Sequence, residues 1–287
     1  MLSRRLLILF LCVPYAYVIL VRGQKDNAPQ IETDDASDNR RLRKSSLPIV
    51  KFYALGDGPY GYQQRQRFPS QLKRMDSRPE FAVHLGNVRE RQQDCDSTHL
   101  DQAANALINN SKIPTFVLPG EADWYTCKDQ ESAWAGWSRN FLRFEDNWNH
   151  NLHVRHQDGT PKNISFIHKG VLFCSFHILN ASILNVEIWN EKVKANVRWL
   201  ESELVSNAFQ NDVGAIVLLA HAQPHTRRYR EFYESLLIVS SQIDKPIMYL
   251  HGAEKQFSVE RDFSVHNILS VSIARGRWDG RSHGNYC

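Results

Sequence analysis

The chain has 287 residues, 42% of them hydrophobic, with 35 Lys and Arg against 31 Asp and Glu for a formal net charge of +4. That is enough apolar material for one sizeable core, and the charge is too small to argue for a nucleic-acid partner. No GxSxG elbow, HExxH helix or Walker-type loop occurs, so serine-hydrolase, zincin and P-loop chemistries have no anchor.

The first residues, MLSRRLLILFLCVPYAYVILVRG, hold an apolar run from Leu6 to Val21 bounded by arginines. Residues 1–23 are expected to be a secretory leader. The run is long for a signal-peptide core and short of the roughly 20 residues of a comfortable membrane span. A cleaved signal ending before Gln24 and an uncleaved type II anchor are therefore both open. The expected address is the secretory lumen or the exterior, with membrane contact only through an uncleaved leader. Asn-x-Ser sequons at Asn109, Asn163 and Asn180 are candidate glycosylation sites that agree with it. Residues 24–47 are polar and are expected to form a disordered linker, including the basic cluster Arg40 to Lys44.

The domain is expected over 48–275, with 276–287 as a tail. LPIVKFYALGD predicts a buried strand, FPSQLKRM a helix and FAVHLGN a second strand. HLDQAANALIN then predicts a helix and PTFVLPGE a third strand, a βαβαβ rhythm that implies a parallel sheet with crossover helices. ISFIHKGVLFCSFHI predicts a hairpin turning at Lys169-Gly170. EKVKANVRWLESELVSNAF predicts a helix with Val193, Val197, Leu200 and Leu204 on one face. AIVLLAHAQ and PIMYLHGAEK predict two more strands, and NILSVSIA a last antiparallel one. Cys95 and Cys127 sit in polar loops just after a motif, which suits a disulfide in an oxidising compartment; Cys174 reads as a buried strand thiol.

Asp57, Asn87, Glu121, His221 and the loop from His251 to Lys255 thus all fall at strand ends. Ligands of open α/β sheets bind where the carboxyl ends of strands converge. Taken in order, LGDGPYG, VHLGNVRE, LPGEADWYTC, LLAHAQP and YLHGAEKQF resemble one branch of the calcineurin-like metallophosphoesterases, with the pattern GDxPY, HxGD, PGDNEW and Cys, HA, and HGDxH. The resemblance covers most of Leu47 to Ala274. It implies an α/β fold, an αββα sandwich of two packed mixed sheets flanked by helices. It also implies two metal ions at the strand ends, activating water for in-line attack on phosphorus.

Carried over residue by residue, Asp57 and His221 are kept, and Glu121 falls at an Asn or Asp ligand position. Asn87 replaces the bridging Asp. These four are the remnants of the metal set. Pro59 stands where many members have a ligand His, although this branch shares the proline. Ala122 falls at the catalytic His or Asn position, and Ala253 and Lys255 take the last two ligand positions. Pro59, Ala122, Ala253 and Lys255 are the degenerate positions.

A lysine about 4 Å from a divalent ion costs about 8 kcal/mol at an effective dielectric constant near 20. No metal pair is therefore expected, and at most one weakly held divalent ion on Asn87, Glu121 and His221. Lys255 is expected to pair with Asp57 or Glu121 instead. His251 is the remaining candidate acid, with a structural role as its ordinary reading. His84 reads as a hydrogen-bonded core residue, and Trp124, Trp134 and Trp137 as packing aromatics. His225, Arg227 and Arg228 read as a solvated turn near the pocket mouth. The implied protein binds an anionic or phosphorylated ligand, or a protein partner, with hydrolysis impaired. The alternatives are an active phosphoesterase using one metal or a rearranged pair, and a membrane-anchored scaffold.

Overall fold

The computed structural model describes residues 7–13, 16–22, 48–91, 93–179, 185–207, 210, 212–224, 226–261 and 263–275. The linker 24–47, the tail 276–287, Asn180, His225 and the side chain of Ala253 lie outside the described residues.

The chain is mixed α/β with two mixed sheets. The first takes β1 (Leu7–Val13), β2 (Ala16–Arg22), β3 (Ile49–Leu55), β4 (Phe81–His84) and β5 (Thr115–Val117) in that order. β1, β2 and β3 pair antiparallel, and β3, β4 and β5 pair parallel. In the second sheet the order is β11 (Ser258–Glu260), β12 (Ile268–Ala274), β10 (Ile247–Glu254), β9 (Ala215–Ala220), β8 (Val171–Phe176), β7 (Thr160–His168) and β6 (Arg155–Gln157). Its central strands β12, β10, β9 and β8 are parallel.

The period-two alternation of each strand divides the apolar residues into three cores. Phe52, Ala54 and Val83 of the first sheet meet Phe173, Val217 and Leu250 of the second, so the two sheets share a dry interior. The phenylalanines lock it: Phe81 packs edge-to-face on Phe116, Phe166 and Phe173 at 5.1–5.9 Å. Tyr53 and Leu55 point the other way, onto α1 (Gly61–Arg74), α2 (Thr98–Asn110) and α3 (Gln130–Phe141). Ile216 and Leu218 do the same toward α4 (Val186–Asn207) and α5 (Arg230–Ser241). The layers are helix, sheet, sheet, helix.

The expected hairpin is present. Lys169 and Gly170 both have positive φ, 48° and 74°, as a two-residue turn with the twist of its strands requires. Two readings need correction. β12 is antiparallel only to the short β11 and runs parallel to its main partner β10. α1 starts at Gly61, well before the Phe68 at which the expected helix begins, and carries Pro69 inside it. With the chain whole, the apolar run expected as a leader lies on the first sheet: β2 pairs with β3 from Tyr17↔Ala54 to Arg22↔Ile49, and Ile19 and Val21 are fully buried between the sheets. Alternating burial along β2 is what an apolar run gives when it finds an open sheet edge. No described helix is long and apolar enough to cross a membrane.

Candidate functional site

The carboxyl ends of β3, β4, β5 and β9 meet where the two sheets adjoin, and glycines let them approach. A Cβ on Gly120 would lie 2.2 Å from the backbone nitrogen of Asn87, and one on Gly86 would lie 2.7 Å from Nδ1 of His221. Asn87 has φ of 54°, a left-handed conformation that asparagine tolerates better than most residues. Asp123 holds this turn. Buried to 1% exposure, it accepts from the backbone N–H groups of Asn87, Arg89 and Gly120 at 3.0, 2.9 and 2.8 Å.

Four predicted residues, Asp57, Asn87, Glu121 and His221, come together, all buried. The Asn87 amide stands between the carboxylates, its Nδ2 donating to Asp57 Oδ2 at 3.3 Å and Glu121 Oε1 at 3.4 Å. Its Oδ1 is turned away, accepting from the Ala122 N–H at 2.9 Å. His221 Nδ1 lies 2.6 Å from the Leu85 carbonyl oxygen, and Nε2 lies 2.7 Å from Glu121 Oε2. Both neighbours are acceptors, an arrangement that favours the imidazolium over the neutral ring. Burial alone would lower its pKa, but the charge of Glu121 and the bond to it prevail and raise it to about 9. Glu121 is pulled the other way: burial raises it, and His221 more than offsets that and holds it below the usual carboxylate range.

Two further cations reach in from the rim. Arg275 Nε is 3.5 Å from Asp57 Oδ2, and Arg91 Nη2 is 3.6 Å from Glu121 Oε1. The Tyr60 hydroxyl also bonds Asp57; burial and then the Asp57 charge raise its pKa. Asp57 itself is pushed up by burial, against the pull of His221, Asn87 and Arg275. Lys255, expected at this centre, is exposed instead. The register of β10 against β12 shifts between His251 and Glu254, and such a bulge re-aims the side chains beyond it.

These residues do not present a metal-ligand set as they stand. Asn87 offers its N–H₂ to the centre, and His221 Nε2 is turned to Glu121 Oε2 at 2.7 Å. Among the described residues no group of three or more His, Cys, Asp or Glu is arranged to hold a metal ion. Three cationic side chains face the two carboxylates where divalent charge would otherwise be needed.

Other predicted positions separate from the centre. His251 Nε2 faces Ser270 Oγ at 3.3 Å, with the ring against Tyr249. His84 donates from Nε2 to the Gly58 carbonyl at 2.8 Å and accepts the Gly86 N–H on Nδ1 at 3.2 Å; burial lowers its pKa to about 4, and it stays neutral. Pro59 and Ala122 are buried and bring no polar side chain. Cys95 and Cys127 form a disulfide, and Cys174 is a buried free thiol. Asn109 is exposed on α2. Asn163 is not open to a glycan in the folded chain: its side chain is fully buried, bonded to Gln157, Asn196 and the backbone of His177.

Sequence reasoning missed Tyr60, Arg91, Asp123 and Arg275. The first three lie within or beside the quoted motifs, which was a usable signal. Arg275 follows the last strand, and only the closure of the fold brings it to Asp57. No protein-family model matches the chain, and no curated protein is significantly similar to it.

Proposed function

We propose that the chain has a metallophosphoesterase-like sandwich whose dinuclear centre has become a metal-free ion-pair cluster, and that it acts by binding an anionic ligand without turnover. Its place of work is the secretory lumen or the exterior. The observation that carries this reading is the buried His221 ring held between two acceptors, the Leu85 carbonyl at 2.6 Å and Glu121 Oε2 at 2.7 Å, where it is taken to be an imidazolium. A protonated imidazole cannot ligate, and it supplies positive charge to buried carboxylates that a metal would otherwise neutralise. Asn87 supports the reading, since it offers N–H donors at the position of a bridging carboxylate.

Metal analysis of protein purified without chelator, paired with the Asn87→Asp variant, tests it. The native protein should hold less than one equivalent of transition metal and leave aryl phosphomonoesters and phosphodiesters intact. Asn87→Asp adds a third buried carboxylate beside two others and should cost about 3–5 kcal/mol, the scale of an uncompensated buried charge. Added Mn²⁺ or Zn²⁺ should return part of that stability in thermal melts of the variant and none in the native protein. Two tightly held equivalents in the native protein would overturn the reading.

A further inference from the structure

Beside the ion-paired centre, the start of β7, the residue after β8 and the first turns of α4 enclose a pocket of about 460 Å³. That is within the range of small-molecule sites. Lys162 and Lys192 line it, and each ammonium lies over an indole: Lys162 Nζ is 4.8 Å from the ring centre of Trp134, and Lys192 Nζ is 4.5 Å from that of Trp124. Neither lysine makes an ion pair with a described carboxylate. The carboxylates that line the pocket, Glu187 and Glu191, are exposed, and Glu191 is engaged by Lys194 at 3.1 Å. His177 is also part of the lining, only 3% exposed, and its Nε2 is buried without a hydrogen-bond partner.

Two ammonium groups sharing a pocket repel each other. A tryptophan face attracts a cation but cannot neutralise it. The cost is visible in both lysines. Burial and then the Lys192 charge lower Lys162 to about 8, and burial lowers Lys192. Burial also holds His177 far below its ordinary range, so its ring is neutral and its Nε2 is free to donate or accept one bond. An anion with several acceptor oxygens would meet both ammoniums and the His177 ring together.

We propose that this pocket binds a tetrahedral oxyanion, a phosphate or sulfate group, through Lys162 and Lys192, with His177 beneath it. Ile188 and Ala195 in the lining give an apolar wall for an organic remainder. This names the site and ligand chemistry of the binding function proposed above, but it stands whether or not the neighbouring centre takes up metal.

The test uses native protein. Lysines are labelled with an amine-reactive reagent and mapped, with inorganic phosphate, inorganic sulfate or phenyl phosphate present and chloride as the ionic-strength control. Saturable protection of Lys162 and Lys192, with exposed Lys73 and Lys194 unprotected, is expected. Tryptophan fluorescence should change over the same concentrations, because Trp124 and Trp134 lie under the ammoniums. Tighter protection by phenyl phosphate would support an ester as ligand, and equal protection would support the free ion. Lys162→Gln and Lys192→Gln should each weaken binding about tenfold, the loss of one charged hydrogen bond, while Lys73→Gln, at an exposed position, should leave it unchanged. Absence of protection by all three anions, or protection no greater than in chloride, overturns the proposal.

Discussion

His221 is the residue on which the centre turns. In the unfolded chain its pKa is near 6.5, and in the fold it is raised to about 9, against burial, by Glu121. Its contribution to stability is therefore complete below about pH 6.5 and is lost as pH rises through about 9. His221→Phe should cost about 3–5 kcal/mol near pH 6, since it leaves Glu121 buried and unpaired. The gap from native protein in urea midpoints should close above pH 9; a gap constant across that range would show that His221 is not charged in the fold. The meeting of Asp57, Asn87, Glu121 and His221 was legible because a Gly-polar ending recurred on successive strands. The partner of the carboxylates was not. Lys255 looked right by position, but a bulge in β10 turns it outward, and arginines from a loop and from beyond the last strand take the role.

Among the elements, the parallel strands and the Lys169-Gly170 hairpin were readable because local patterns specify them: β-branched runs, Gly punctuation and a positive-φ turn. The orientation of β12 was not readable, since pairing direction depends on which distant strand is the neighbour. β5 is shorter than its apolar run suggests, because Leu118 onward leaves the sheet to build the turn that Asp123 holds. The Cys95–Cys127 bridge ties that turn to the loop after β4 across a separation of 32 residues. A loop of this size should be worth about 4 kcal/mol in the chain-entropy estimate. The double variant Cys95→Ser with Cys127→Ser should lose about that much in denaturant unfolding. A loss below about 1 kcal/mol would mean that Asp123 and Arg89 hold the turn unaided.

At the scale of the whole molecule, the two packed sheets were expected only through the family resemblance, and the pairing of the first residues with β3 had no signal in the sequence. An apolar run at the start of a chain has the composition of a leader whether or not a sheet edge lies in reach. Here β2 covers β3, Tyr17 stacks on Phe257 at 5.0 Å, and Ile19 and Val21 contribute burial worth about 1.5–3 kcal/mol each. A chain starting at Gln24 should melt at lower temperature than the whole chain and self-associate in light scattering. Equal stability and a monodisperse monomer would show that the hairpin adds nothing to the fold. A retained N-terminus seals the first sheet, whereas cleavage before Gln24 would leave the β3 backbone as an adhesive edge that another chain could complete.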